Sequence, residues 1–264
     1  MVVIFKERAI RFCVLASGSK GNAIWIEAGG AAILVDTGLS GRELERRFRQ
    51  AGLSPRSLTA ILVSHEHRDH IAGVGVAARR FNRPVYMNER TWNSCRTVLG
   101  KIESRPFETG QAFNLGPINI HPFSVAHDAA DPVGFRFTCN GTRLGLVTDL
   151  GTPTNLVKTH MAECHGLIIE SNHDPQMLME GPYPWDLKRR VRGRKGHLSN
   201  NEAAKLLSEL AHGGLKQVVL AHLSETNNKP ELALSEAGSS FPHASSDFSL
   251  EAASQDVPSS VFKL

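Results

Sequence analysis

Short apolar runs broken by glycine-rich and polar turns dominate the first third of the chain, a pattern typical of β-strands. Strands are predicted there over residues 11–16, 23–28, 31–36 and 60–64. Later apolar runs predict further strands over residues 85–87, 118–125, 133–138, 144–148, 166–170, 217–221 and 248–252.

Helical periodicity lies between these strands. Ser40 and Glu43 have the spacing of a capping box, so a helix is expected to begin there. Further helices are predicted over residues 71–81, 91–99 and 199–211. Strands first and strand–helix alternation later indicate an α/β protein whose sheets are covered by helices.

Length and composition fit one globular domain over residues 1–264. The chain has 41% hydrophobic and 21% charged residues, which excludes global disorder and fibrous architectures. The serine-rich segment 235–247 has weak patterning and is predicted to be a surface loop or disordered.

Charge and cysteine content indicate which partners and which cellular compartment to expect. The formal net charge of +4 is compatible with an anionic partner. The four cysteines are widely spaced and are interpreted as buried apolar side chains in a reducing compartment. No signal-peptide pattern or apolar run long enough to span a membrane is found, so a cytoplasmic protein without a membrane segment is expected.

The strongest chemical signal is Ser64-His65-Glu66-His67-Arg68-Asp69-His70, directly after a predicted strand. In an extended segment His65 and His67 point the same way, because side chains alternate. A turn into the next helix then brings Asp69 and His70 toward the same space. Imidazole and carboxylate together favour Zn²⁺, Mn²⁺ or Fe²⁺.

Three further candidate ligands follow apolar runs elsewhere in the chain: His127, Asp149 and His222. Each stands where a strand is predicted to end and a loop to begin, which is where sites form in layered α/β folds. Taken singly each fits a cap or turn, but together with the histidine cluster they indicate a two-metal site.

These motifs resemble the metallo-β-lactamase fold and, more narrowly, the WalJ (YycJ) group of bacterial nucleases. The resemblance runs from about residue 11 to residue 232. It is carried by segments 15–22 (Leu-Ala-Ser-Gly-Ser-Lys-Gly-Asn), 64–70, 127–135 (His-Asp-Ala-Ala-Asp-Pro-Val-Gly-Phe), 170–174 (Glu-Ser-Asn-His-Asp), 196–200 (Gly-His-Leu-Ser-Asn) and 222–228 (His-Leu-Ser-Glu-Thr-Asn-Asn).

The resemblance implies an αββα sandwich with two divalent ions at one edge. The implied ligands of the first ion are all histidines: His65, His67 and His127. The implied ligands of the second ion are a carboxylate and two histidines: Asp69, His70 and His222. Asp149 is the implied bridging ligand, and a hydroxide shared by the two ions, oriented by Asp69, is the implied nucleophile.

A basic run lies just before the helix predicted at 199–211. Six of the eight residues 188–195 are basic, and Arg189, Arg190, Arg192 and Arg194 are interpreted as contacts to a phosphate backbone. A solvated surface is the alternative.

His197 follows the basic run, close to a helix N-terminus whose free N–H groups favour an anion. It also resembles the histidine that contacts the scissile phosphate in tRNA-processing nucleases of this fold. The implied role is to bind substrate and to protonate the leaving oxygen.

Four other residues are weaker candidates for contact with substrate or support of a ligand. Ser19 lies in a polar loop and can contact substrate, and His173 can line the site or support a ligand. Trp185 and Tyr183 can stack on a base, but packing beneath a loop is favoured for them.

The expected function is therefore a two-metal phosphodiesterase acting on nucleic acid, with a DNA exonuclease as the expected activity by resemblance. An ester or thioester hydrolase of small molecules would share the ligands but has no use for the basic run. A non-catalytic nucleic-acid-binding protein would be expected to have a broken ligand set.

Overall fold

Two β-sheets stack against each other at the centre of this computed structural model, which describes residues 9–241 and 248–264. The strands of the first sheet, in spatial order, are β14 (Phe262–Lys263), β1 (Arg11–Ala16), β2 (Ala23–Ala28), β3 (Ala31–Val35), β4 (Leu58–Leu62), β5 (Val85–Met87) and β6 (Ser104–Pro106). Those of the second are β13 (Ser249–Ala252), β12 (Gln217–Ala221), β11 (Gly166–Glu170), β10 (Thr142–Val147), β9 (Val133–Cys139), β8 (Ile118–Ser124) and β7 (Phe113–Leu115).

Helices cover the outer faces of both sheets. Those in the first part of the chain are α1 (Gly41–Gln50), α2 (Arg68–Ile71), α3 (Val74–Phe81) and α4 (Glu89–Leu99), with a 3₁₀ turn at Pro55–Ser57. The later helices are α5 (Asn155–Met161), α6 (Pro175–Glu180), α7 (Trp185–Val191), α8 (Asn200–Leu210) and α9 (Pro230–Ser239). Among the described residues, no helix has the length and apolar character needed to cross a bilayer.

Three apolar cores hold these layers together. The middle core interleaves the sheets, with Phe12 of β1 and Phe135 of β9 both fully buried in it. A second core joins the first sheet to α1, α3 and α4, and a third joins the second sheet to α5, α8 and α9. The order of layers is therefore helix, sheet, sheet, helix, and the predicted αββα sandwich is confirmed.

The cysteines fit the apolar role predicted for them. All four are buried free thiols. Burial raises the pKa of Cys164 to about 12, so this thiol stays protonated and packs as a small apolar side chain.

The helix predicted over 71–81 is wrong at its start. The chain forms α2, breaks at Gly73 and resumes as α3. Gly73 donates its N–H to the Thr37 carbonyl, and a side chain there would meet the Leu39 carbonyl, with Cβ 1.8 Å from the oxygen. The tight contact with the 37–39 loop therefore interrupts the helix.

The loop predicted over 235–247 is wrong for its first part. Residues 235–239 belong to α9, which buries Ala233 and Ala237 one turn apart against the third core. Residues 242–247 lie outside the described residues. The strand predicted at 248–252 is confirmed as β13, which pairs in parallel with β12.

Candidate metal centre

Seven side chains converge at one edge of the sandwich, four from the segment after β4 and one each from the segments after β8, β10 and β12. Three histidines form one set whose donor atoms all lie within 4.8 Å of one another, called here the three-histidine group: His65, His67 and His127. A second set meets the same limit and is called the aspartate group: Asp69, His70 and His222. The structure thus brings together the residues of both implied ligand sets.

Asp149 lies between the two groups. Its Oδ2 is 3.1 Å from His70 Nε2, in the aspartate group. Its Oδ1 is 3.7 Å from His127 Nε2, in the three-histidine group. The carboxylate is therefore placed to be shared, which is the geometry required of a bridging ligand.

Left-handed backbone conformations help to aim these side chains. Asp149 has φ 56° and His222 has φ 56°, although neither residue is glycine. Such conformations are uncommon outside glycine and cluster at functional sites. Asp149 lies two residues after the end of β10, and His222 directly follows the buried strand β12.

Buried carboxylates orient the two histidines of the aspartate group. His70 donates its Nδ1–H to Asp36 Oδ2 at 2.8 Å, and His222 donates its Nδ1–H to Glu170 Oε1 at 2.8 Å. Each bond leaves the Nε2 of its ring for a ligand inside the site. Carboxylate–histidine pairs of this kind are usual behind metal-binding histidines, because they fix the tautomer and raise ligand basicity.

Neutral acceptors orient two rings of the three-histidine group. His65 Nδ1 lies 3.0 Å from Ser64 Oγ, and His127 donates its Nδ1–H to the Gly196 carbonyl at 3.1 Å. His127 Nε2 then lies 3.2 Å from His67 Nδ1. These two ring nitrogens therefore face one another inside the site.

The donor set fits divalent metal ions. His65 is buried, and its Nε2 has no hydrogen-bond partner among residues 9–241 and 248–264. A buried, unpaired ring nitrogen is costly unless something else binds it. Three imidazoles on one side and two imidazoles with carboxylates on the other are ligands typical of Zn²⁺, Mn²⁺ and Fe²⁺.

Two histidines in each group have shifted pKa values, and the direction of the shift differs between the groups. Burial lowers the pKa of His65 well below its usual value and also lowers the pKa of His127. Burial opposes the charge on His70 and His222 as well, but the surrounding carboxylates outweigh it, Asp149 foremost, and raise the pKa of both rings well above the usual value.

Glu170 also holds His197, beside the aspartate group. His197 donates its Nδ1–H to Glu170 Oε1 at 2.8 Å, while Glu170 Oε2 accepts from the backbone N–H groups of Leu150 and Leu198. Burial disfavours the charged carboxylate, but His197 and His222 outweigh this effect and lower the pKa of Glu170 to about 2. Glu170 is thus an anion that anchors two rings of the site.

The sequence pattern of the beta-lactamase superfamily domain matches residues 31–223. The chain belongs to the beta-lactamase superfamily. The match spans both donor groups, Asp149 and His197.

Two relatives place the chain more narrowly within the superfamily. It is 41% identical to the exodeoxyribonuclease YycJ of Bacillus anthracis over 227 residues, 85% of this chain and 86% of that protein. It is 38% identical to the exodeoxyribonuclease WalJ of Streptococcus pneumoniae serotype 2 (strain D39 / NCTC 7466) over 232 residues, 86% of each. The chain belongs to the same family as these two proteins.

A solved structure supports the superfamily fold. The metallo-beta-lactamase fold protein YhfI from Bacillus subtilis superposes with a TM-score of 0.73, covering 98% of this chain and 100% of that one. Its sequence identity is 17%, so this likeness concerns the fold alone.

A loop after β1 closes one side of the centre. Ser17 Oγ accepts from the His222 backbone N–H at 2.7 Å. Asn22 donates from Nδ2 to Asp69 Oδ2 at 3.2 Å. This loop therefore positions two residues of the aspartate group, while exposed Ser19 lines the pocket over the centre.

That pocket has a volume of about 270 Å³ and opens above both donor groups. Of the four arginines predicted to contact phosphate, Arg190 is the one found among its lining residues. Arg190 Nε donates to Asp128 Oδ2 at 2.7 Å, which holds the side chain at the rim. Arg189 and Arg192 lie on another face of α7, and Arg194 is exposed beyond its end.

The expectation of free N–H groups at the start of α8 is wrong. Ser199 Oγ accepts from the Glu202 N–H, and the Glu202 side chain accepts from the Ser199 N–H, which completes a capping box. Leu198 donates to Glu170 and Asn200 donates to the His173 carbonyl. These groups are already paired within the protein, whereas His197 lines the pocket over the centre.

His173 does not join either donor group. The residue is buried, its backbone pairs with Ser199, and burial lowers the pKa of its ring. It lies outside the pocket lining among the described residues, so a supporting role beneath His197 fits it better than contact with substrate.

Two functional residues were missed by sequence reasoning, Asp36 and Glu170. Both are buried carboxylates that close a predicted strand, Asp36 just after β3 and Glu170 at the end of β11. The strand-end rule that selected Asp149 and His222 applies equally to them, and that signal was sufficient to find both.

Proposed function

We propose that this chain is a divalent-metal-dependent phosphodiesterase that degrades DNA from an end. The observation that carries the proposal is that two complete donor groups, Asp149 and His197 open into one pocket whose rim holds Arg190. Metal ligands, a proton donor and a cation are the groups needed to cleave an anionic diester. The identity to the exodeoxyribonucleases YycJ and WalJ supports DNA and the exonuclease mode.

When bound, two divalent ions would neutralise charge on the phosphate and activate water for attack. His65, His67 and His127 would hold one ion, Asp69, His70 and His222 the other, and Asp149 both. The mixed imidazole and carboxylate donors favour Zn²⁺ or Mn²⁺ and are compatible with Fe²⁺.

His197 is proposed to contact the scissile phosphate and to protonate the leaving oxygen. Its Nδ1–H is committed to Glu170, so Nε2 is the nitrogen left for substrate. Burial opposes a charge on the ring, but Glu170 outweighs it and raises the pKa of His197, which keeps a proton available at neutral pH. A general acid with these properties assists the departure of a poor leaving group by protonating its oxygen.

Asp69 is proposed to orient the attacking water as well as to bind metal. Its side chain is one-fifth exposed to the pocket, and its Oδ2 lies 3.4 Å from both His70 Nε2 and His222 Nε2. Asn22 fixes the same oxygen from behind. One carboxylate oxygen is thus held in place, and the residue lines the pocket.

A small-molecule ester or thioester hydrolase remains the second candidate, because it would use the same donors. The charge of α7 argues against it, since Arg190 lines the pocket, and Lys188 and Arg189 occupy the two preceding positions of that helix on its other face. A non-catalytic binding protein is disfavoured because both donor groups are complete.

The substrate panel that tests the proposal uses linear duplex DNA, single-stranded DNA, closed circular DNA, RNA and a nitrophenyl acetate ester. Purified protein with Mn²⁺ or Zn²⁺ is expected to release mononucleotides or short products from linear DNA and to leave closed circles intact. Asp149→Ala serves as the inactive control. Rapid ester cleavage without DNA cleavage would favour the second candidate, and nicking of circles would overturn the exonuclease mode.

The cytoplasmic location stays a prediction. Fractionation of cells producing a tagged full chain tests it, with the tag expected in the cytosolic fraction.

A further inference from the structure

Helix α7 separates two pockets. Leu187, Arg190 and Val191 line the pocket over the metal centre. The opposite face carries Trp185, Lys188, Arg189 and Arg192, spaced three and four residues apart as one side of a helix requires. With Met179 of α6 they line a second pocket of about 290 Å³.

The expectation that Trp185 packs beneath a loop is wrong. Its side chain is 59% exposed, and neighbouring Met179 is 38% exposed. Large apolar side chains left together on a surface mark interaction sites more often than isolated ones do. An exposed indole with an open face is a platform on which a nucleic-acid base can stack.

The cations around Trp185 keep their positive charge largely uncompensated. Lys188 Nζ donates to the Met179 carbonyl at 2.7 Å, and Arg192 Nη1 lies 3.4 Å from Met179 Sδ, so both contact neutral groups. Arg189 Nη2 is 3.9 Å from Asp186, whose side chain is almost fully exposed. The other face differs, because Arg190 forms a 2.7 Å ion pair with Asp128.

We propose that this second pocket, called here the Trp185 subsite, binds one nucleotide of the DNA strand whose end occupies the metal centre. The base stacks on Trp185, and Lys188, Arg189 and Arg192 contact the flanking phosphates. This inference rests on the proposed function and adds where the rest of the strand binds. Because every base has a π-face, the subsite is tolerant of sequence.

The width of α7 determines how many nucleotides of the strand lie between the scissile bond and Trp185. A helix with its side chains is about 10–12 Å wide. Nucleotides in a stacked strand rise about 3.4 Å each. A strand that crosses α7 therefore places a base on Trp185 about three nucleotides from the scissile bond.

A length series tests this placement. Steady-state hydrolysis of oligothymidylates from two to about eight nucleotides is measured for the wild type and for Trp185→Ala. The variant is expected to lose about 5- to 100-fold in kcat/KM on the longer strands, mainly through a higher KM. The reason is that the loss of one base–aromatic stack weakens binding by about this factor. On the dinucleotide, which is too short to cross α7, the expected change is less than about two-fold.

Matched variants separate stacking from general damage. Trp185→Phe keeps a ring and is expected to restore most of the affinity, whereas Trp185→Leu keeps bulk and is expected to behave like Trp185→Ala. Val98→Ala removes another exposed apolar side chain, on α4, and is expected to match the wild type at every length.

An abasic strand locates the contact. Removing the single base about three nucleotides from the cleaved bond is expected to raise KM for the wild type and to add nothing for Trp185→Ala, because both changes delete one interaction. Equal loss by Trp185→Ala at every length, or additive losses, would overturn the subsite. Failure of the wild type to cleave any DNA would instead overturn the proposed function, which keeps the two results distinct.

Discussion

The two donor groups of the centre have similar ligands, but the hydrogen-bond partners behind their histidines differ in charge. The rings of the three-histidine group contact neutral partners, the Gly196 carbonyl and the Ser64 hydroxyl, and that hydroxyl in turn donates to Asp36 Oδ2. The aspartate group is backed by the buried carboxylates Asp36 and Glu170. Asp149 first, and these carboxylates with it, outweigh burial and raise the pKa values of its histidines, whereas burial lowers the pKa values of His65 and His127.

This difference determines how many protons each group would release when it binds a metal ion. A neutral histidine is ready to bind an ion, so the three-histidine group needs little proton release near neutral pH. A histidine with a raised pKa holds a proton there, and an ion must displace it. Once deprotonated, the aspartate group has the greater negative charge and attracts a cation more strongly.

The largest expected effect comes from the residue that both groups share. Asp149→Ala is expected to lower the affinity for both ions and to reduce DNA hydrolysis at least about 10³-fold, because one carboxylate contacts each group. Metal content by elemental analysis, together with hydrolysis rate, checks it. An Asp149→Ala protein with full activity would show that the groups work without a shared ligand.

His197 is expected to separate catalysis from metal binding. His197→Ala should keep the metal content of the wild type and lose about 10²–10⁴-fold in kcat on DNA. The loss should shrink on a nitrophenyl phosphodiester, whose leaving group needs no proton. His121→Ala, which changes a histidine of β8 away from the centre, is the control. Equal losses on both substrates would assign His197 to phosphate positioning instead.

The outer partners test the contrast directly. Asp36→Asn keeps a hydrogen-bond acceptor for His70 but removes the charge, and is expected to weaken one ion about 10- to 100-fold. Ser64→Ala removes the neutral hydroxyl beside His65 together with its bond to Asp36 Oδ2, but leaves the charge of that carboxylate, and is expected to weaken the other ion less. Competition with a chelating dye measures both affinities. Equal weakening by the two variants would mean that the backing charge does not distinguish the groups.

The smallest expected effect is at the rim. Arg190→Gln is expected to reduce the slope of log affinity against log salt by about 0.7 for single-stranded DNA, the value of one phosphate contact. Arg80→Gln is the matched control, because Arg80 also forms a surface ion pair, with Glu45, but on α3. Binding is measured with a phosphorothioate strand by fluorescence anisotropy, and an unchanged slope for Arg190→Gln would return this arginine to a solvated surface.

Local chemistry made much of this centre predictable. The strands before His65 and His222 are apolar runs with sharp ends, and ligands at such ends converge once the sheets pack. The break at Gly73 was not predictable, because it depends on the approach of the 37–39 loop from elsewhere in the chain. The left-handed backbone at Asp149 is another feature that the apolar pattern of β10 does not indicate.

The basic run shows a further limit of sequence reasoning. Composition indicated one phosphate-binding surface, but helical geometry divides it between two faces of α7. Arg190 and Arg189 are adjacent in sequence and face different pockets, because successive helical residues are rotated by about 100°. Knowing that 185–191 is a helix was needed to separate them.

The most direct test of this account is a metal titration of the metal-free protein at pH 8 and pH 6, with DNA hydrolysis measured at each step. We predict about two ions bound at pH 8, with activity rising only with the second. At pH 6 the raised pKa values of His70 and His222 favour their protonated forms, so the three-histidine group keeps its ion while the aspartate group and the activity are lost together. Two ions lost in one common step, or full activity with a single ion, would contradict the account.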